Sequence, residues 1–312
     1  MFSRILLTLA SFGTCGVVLR VLRELRFQRA HRRQVVFMRA TLATGELCEE
    51  RRLIVSLSTL PDRIKNLRPT LECLLQQTRS PAEIVLAIPR FSIRQQKPYE
   101  VPSWLNEFPG VRILQADRDW GPATKSIPAI QYELAADRVE TLIMVVDDDR
   151  IYPHDAVETY LHYSEQLPDA ALCFRGAAMP HSFDWRKAKM IHGNRLREPR
   201  RVAVITGCGS YLVKPRFFDK ALWNYSAAPR AAFYMDDIWI SGCLDRRGVK
   251  KYVVPSSTRL RGVKQQESAM SLRDVPRGRQ ANNNDVIEFL RSSWDVFPES
   301  GSRGDKTLLD RT

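Results

Sequence analysis

Residues 141–153 read TLIMVVDDDRIYP, and no other stretch restricts the possible folds as tightly. The run LIMVV at 142–146 is unbroken, apolar and rich in β-branched side chains. It is too short for an ordinary helix and reads as a strand buried on both faces, as in a parallel sheet covered by helices. Asp147, Asp148 and Asp149 follow at once. Adjacent carboxylates at a strand's end repel one another unless a cation relieves them. Ligands of open α/β sheets gather outside the carboxyl ends of the strands, and hard oxygens suit Mg2+ or Mn2+, which also hold substrate phosphates. The stretch therefore reads as a metal–diphosphate site. The alternative is an acidic turn that only caps the next helix. Pro153 stops the strand, and His154 and Asp155 can open that helix.

The chain on either side alternates strand and helix. LIVSLS at 53–58 predicts a first strand and 59–63 a loop, and 64–77 reads as a helix with Leu67, Leu71, Leu74 and Leu75 at helical spacing. Strands are expected at 84–88, stopped by Pro89, and at 111–114, with the polar segment 90–109 as an excursion between them. A helix at 127–134 leads into the acidic strand. This alternation implies α/β class with a mostly parallel, Rossmann-like sheet flanked by helices. Further strands are expected at 170–174, 202–205 and 252–255, and a short helix at 286–294. Residues 179–201 lack periodicity and read as a mobile basic loop, and 299–312 as a disordered tail. No internal repeat is visible.

The 312 residues carry a net charge of +13, which suits anionic partners, but the basic residues are clustered. Seven lie in 246–264 without an acid, and seven more in 186–201 against Glu198 alone. Such runs suit nucleic acid, acidic lipid or a sugar-linked diphosphate, or are solvated faces with no partner. Six scattered cysteines with no CxxC pair speak against a zinc ribbon or a redox dithiol. At the amino terminus, 5–19 is apolar and uncharged between Arg4 and Arg20, short of the roughly twenty residues that span comfortably. We read 1–22 as an uncleaved, single-pass membrane anchor or signal segment and 23–50 as a basic stem. Arg20, Arg23, Arg26, Arg29, Arg32 and Arg33 follow the segment, so the positive-inside bias would keep the rest on the cytoplasmic face.

Four stretches, in order, resemble a nucleotide-sugar-dependent glycosyltransferase of the GT-A fold. They are STLPDR at 58–63, DWGPATK at 119–125, VDDD at 146–149 and DDIWISG at 236–242. The chain is similar there, over roughly residues 51–255 of a domain at 51–298, to the enzymes of glycosyltransferase family two and, more distantly, to fringe-type transferases. The resemblance implies that Asp149 is the direct ligand of Mn2+ or Mg2+. Asp147 would contact the ribose or complete the metal shell, with Asp148 between them. It implies Pro61 and Arg63 at the nucleotide pocket, Lys125 directed at the donor, and Asp237, beside Asp236, as the base of an inverting reaction. The turn TGCGSY at 206–211 resembles the loop beneath the sugar, where Gly207 and Gly209 admit close backbone approach. Tyr211 and Trp239 are either sugar platforms or core aromatics. The family often supplies a late His as a further ligand, and no His follows His192. The implied partners are a UDP- or GDP-sugar donor and a glycan, lipid or protein acceptor. Many membrane-anchored transferases of this kind face the secretory lumen, against the charge bias above.

A phosphatase of the haloacid-dehalogenase kind also sets DxD after a strand, but near its amino terminus and with Thr or Val where Arg150 stands. A sugar nucleotidyltransferase would need a glycine-rich basic signature at the first strand, which is lacking. A non-enzymatic nucleic-acid binder accounts for the charge and leaves both acidic pairs idle.

Overall fold

The computed structural model describes residues 51–106, 108–257, 261–262 and 278–294. The expected membrane segment, stem and tail, with Cys15 and Cys48, lie outside the described residues, as do Arg259 and Lys264 of the second basic run. Among the described residues no helix is long and apolar enough to cross a membrane.

Strand β1 (Leu53–Leu57) is buried at every position and lies third from one edge of an eight-stranded sheet. It pairs in parallel with β2 (Glu83–Ile88), which pairs in parallel with β3 (Val111–Gln115). On its other side β1 pairs in parallel with β4 (Leu142–Val145), with Leu53 opposite Leu142 and Ser56 opposite Val145. The chain thus runs outward from β1 to β3 and then crosses back to the far side of β1. Where strand order reverses in this way, the loops after the two central strands diverge and leave a crevice. Here those loops begin at Ser58 and at Val146.

Alternate residues of these strands feed two apolar layers. Leu53, Val55, Leu57, Leu142 and Met144 face α1 (Arg68–Leu75) and α3 (Ala156–Gln166), which contribute Leu71, Leu74, Val157 and Tyr160. Ile54, Val85, Ile143 and Val145 face α2 (Ile127–Ala135) and α4 (Asp236–Arg246), which contribute Ile127, Ile130, Ile238 and Trp239. Burial from both sides is why β1 and β4 are apolar apart from Ser56.

Beyond β4 the sheet becomes mixed. Strand β5 (Ala170–Cys173) is separated from β4 by β10 (Tyr211–Val213), which is antiparallel to both, and β11 (Lys250–Val253) continues in parallel outside β5. A smaller antiparallel sheet joins β6 (Arg175–Ala178) to β7 (Lys189–His192) and β9 (Val204–Ile205). The segment expected as a mobile basic loop is therefore partly ordered. Lys189–His192 is paired, and β8 (Arg200–Arg201) forms the edge of the main sheet beside β11. Both pairings are long-range and leave no local period, and arginines suit a solvent-facing edge strand. Helix α5 (Gly278–Phe289) begins earlier than its apolar pattern suggests, since its first turns are polar. The second basic run is not one solvated face either, because Lys251 is buried and pairs with Asp245. Cys73, Cys173, Cys208 and Cys243 are free thiols, and burial raises the pKa of each.

Candidate active site

The acidic loop after β4 is pinned by its neighbours before it can hold anything else. The Asp147 N–H donates to Tyr152 Oη at 2.8 Å, and Thr70 Oγ1 at the head of α1 donates to the Asp148 carbonyl at 2.9 Å. The Asp148 carboxylate turns inward, accepting from Thr59 Oγ1 at 2.7 Å and Arg63 Nη1 at 3.1 Å. Burial nevertheless pushes its pKa up to about 6, against the pull of Arg63 and Thr59. Asp148 and Arg63 therefore join the two loops of the crevice. Asp149 keeps an open face: its side chain is 31% exposed, with Arg150 Nε at 3.3 Å and Arg63 Nη1 at 3.9 Å.

Lys125 is brought in by a tight turn. Asp119 accepts from the Gly121 N–H and the Ile93 N–H, each at 2.7 Å, and the Trp120 N–H donates to Thr124 Oγ1 at 3.0 Å. Gly121 has φ +61°, and a Cβ there would overlap the Phe233 carbonyl, so this turn requires glycine. Ser56 Oγ of β1 donates to the Lys125 carbonyl at 2.7 Å. The ammonium is directed into the interior, 2.8 Å from Asp147 Oδ1 and 3.0 Å from Asp236 Oδ2. Burial disfavours its charge, yet Asp147, Asp236 and Asp237 outweigh this and hold its pKa well above the ordinary value. Burial likewise opposes ionisation of Asp147, and Lys125, with Arg150 and Arg63 behind it, overrides this and lowers its pKa.

Asp236 and Asp237 open α4, where the helix dipole favours negative charge. Asp236 is buried, while Asp237 is partly exposed to the cleft and accepts from the Gly207 N–H at 2.7 Å. Burial and the neighbouring charge of Asp236 push Asp237 up to about 7, against Lys125 and the Gly207 N–H. Gly207 lies so close that a Cβ would collide with Lys125 Nζ.

These groups line one cleft of about 330 Å³ at the switch between β1 and β4. The structure brings together Arg63, Lys125, Asp147, Asp148, Asp149, Asp236 and Asp237, with Gly207 against Lys125. It leaves others outside. Pro61 is half-buried in its turn without lining the cleft, and Gly209 packs against the Arg175 backbone. Tyr211 and Trp239 are core aromatics rather than platforms, both fully buried; Trp239 stacks on Tyr225 and donates to the Leu222 carbonyl. Arg94, Tyr99, Trp185 and Asn283 also line the cleft and were not foreseen. They stand on segments without periodicity or motif, so only the tertiary fold brings them there.

Six carboxylates and four cations line the cleft, a surplus of two negative charges if all are ionised. An entering diphosphate would add to that surplus, so the donor set calls for a further cation. Among the described residues no three metal-ligating side chains converge, so the protein offers no closed cage. The residues fit an ion that keeps waters and takes its remaining ligands from phosphate, as Mg2+ does. Asp149 would hold it, and Asp147 could join only by yielding its bond to Lys125.

Fold and cleft define an α/β protein with an acidic, cation-bridged crevice at the switch point of its sheet. No family model matches the chain, and no curated protein matches it. Among solved structures it is similar to that of GalNAc-T7 with UDP, GalNAc and Mn2+, at 16% identity and a TM-score of 0.49, over 76% of this chain. The match covers 48% of that chain, so the protein spans about half its length. At that distance the likeness assigns no role to any residue.

Proposed function

We propose that the chain is a GT-A-type glycosyltransferase that moves a sugar from a UDP- or GDP-sugar to an acceptor hydroxyl with inversion. The observation that carries this reading is the meeting, around one buried ammonium, of the acids after β4 and the acids that open α4. The nucleotide diphosphate lies along the outer side of the acidic loop, with Asp149, Arg63 and Arg150 facing its phosphates. Asp149 would hold a divalent cation, which would supply charge neutralisation for the departing diphosphate. Asp237, with its pKa near 7, is the base: it takes the proton of the acceptor hydroxyl as that oxygen attacks the anomeric carbon, and the nucleoside diphosphate leaves. The Gly207 N–H fixes the direction of the Asp237 carboxylate. Lys125 acts from behind, holding Asp147 and Asp236 in place, and does not contact the donor. The acceptor is a glycan, lipid or protein, and residues 1–22 and 23–50 tether the catalytic domain at 51–298 to a membrane.

Ligand linkage tests the reading. UDP or GDP with Mn2+ at a hundred times its Kd stabilises a one-site protein by about 2.7 kcal/mol. That corresponds to a rise in Tm of about 5–10 °C for a domain of this size. A shift with RNA and none with either nucleotide would replace the enzyme by a nucleic-acid binder. A screen of nucleotide sugars for Mn2+-dependent hydrolysis then names the donor.

A further inference from the structure

A second cavity, of about 160 Å³, lies across a thin wall from the cleft. The wall is the contact between Gly121 and Phe233. Gly121 lines the cleft, Trp120 and Phe233 line the second cavity, and a Cβ at Gly121 would overlap the Phe233 carbonyl and press on its ring. Tyr234, Met235 and Asp236, the next residues after Phe233, line the cleft. The cavity is thus joined by two continuous stretches of chain to the acids that open α4.

Its lining is unlike that of the cleft. Tyr225 and Phe233, both half-buried, supply aromatic surface, while the Trp120 ring is buried, 5.8 Å from the Tyr225 ring. Arg118 and Arg230 stand at its edge, both exposed. Arg118 lies over the Trp120 ring at 4.3 Å, and neither guanidinium has a carboxylate partner among the described residues. Among the described residues no acid lines the cavity. Two guanidiniums without a carboxylate partner among the described residues, beside the half-buried Phe233 ring, offer an anion a bidentate partner and offer the apolar face of a sugar ring a surface.

We propose that this cavity binds an acidic sugar of the acceptor, a uronate or a phosphorylated sugar, placing the hydroxyl of a neighbouring residue at Asp237. This deepens the glycosyltransferase reading and rests on it. Arg118 and Arg230 pair with the anionic group, while Phe233 takes the ring. The acidic cleft repels the same group, so the charge pattern orients the acceptor as well as retaining it.

The probes are methyl glucuronide, glucose 6-phosphate and the neutral methyl glucoside, titrated into the full chain and followed by ligand-observed NMR. One or both acidic sugars should bind at least tenfold more tightly than the glucoside, and which one does names the anion. Arg230→Gln should weaken that binding about tenfold and Arg118→Gln,Arg230→Gln abolish the preference, with UDP affinity in Mn2+ unchanged in both. Arg230 is exposed, so the single variant keeps the test clear of folding defects. Equal binding of the three sugars, or a preference that survives the double variant, overturns the proposal even if UDP binds. Absence of UDP binding to the unaltered chain overturns the glycosyltransferase reading, and with it the acceptor role of the cavity.

Discussion

Replacing Lys125 with Met tests whether the ammonium holds the two acidic sites together. Its side chain is 10% exposed, and those of Asp147 and Asp236 are 24% and 7% exposed. Removing one member of a buried ion pair costs about 3–5 kcal/mol, because the remaining charge is left without compensation. Two carboxylates lose their partner here, and the partial exposure of Asp147 screens some of its share, so the expected loss stays within about 3–5 kcal/mol. Guanidinium unfolding at pH 7, compared between the two proteins, measures it. The pH dependence follows from the shifts. Asp147 is held below its ordinary value of 3.8, so its contribution is present above that value and fades as the pH falls through the lowered one. The Lys125 pKa is raised, so its own contribution is complete everywhere below about 10.4 and adds no change between pH 4 and 7. The gap between Lys125→Met and the unaltered protein should therefore keep its full size from neutrality down to about pH 4 and narrow only as the pH falls below the ordinary Asp147 value. A gap below about 1 kcal/mol at pH 7 would refute the reasoning, because it would mean that solvent already compensates these acids.

Asp237→Asn should lower transfer by about 10²–10⁴-fold while leaving UDP affinity in place, which steady-state kinetics beside a binding titration separates. In the unaltered enzyme the base must be ionised, so the transfer rate should climb as pH rises through about 7 and level off above it; a rate flat across that range removes Asp237 from the role. Asp149→Asn should weaken UDP binding in Mn2+ and make it insensitive to EDTA, as read by calorimetry. Gly207→Ala places a methyl group against Lys125 Nζ and should cost about 1–3 kcal/mol of stability together with a drop in transfer.

What could be read from residues alone follows the range of the forces involved. The runs at β1 and β4 declare themselves because burial from both sides admits only one polar residue, Ser56, whose hydroxyl is spent on the Lys125 carbonyl. The acid after β4 is equally plain, but its division of labour is not. Asp147, Asp148 and Asp149 are chemically identical neighbours, and only the direction each takes in the folded loop gives the middle one to Arg63 and Thr59. Lys125 reads naturally as a donor contact, and its approach to Asp236 arises from 111 positions of intervening chain folding into a sheet. The strand Tyr211–Val213 is three residues long and follows a glycine turn, too short to show alternation. The order within 179–201 comes from partners far along the chain, such as Tyr252 and Val253 opposite Arg201 and Arg200.

Sharing one ammonium between two acids restricts how such a chain can drift. Losing either Asp147 or Asp236 leaves Lys125 to the other, while losing the lysine strands both, so the effects of these three substitutions should not add. Asp236→Asn introduced together with Lys125→Met should cost less than the sum of the two. In a mutational scan these positions should therefore behave as one character, tolerating change only when two or more of them change at once.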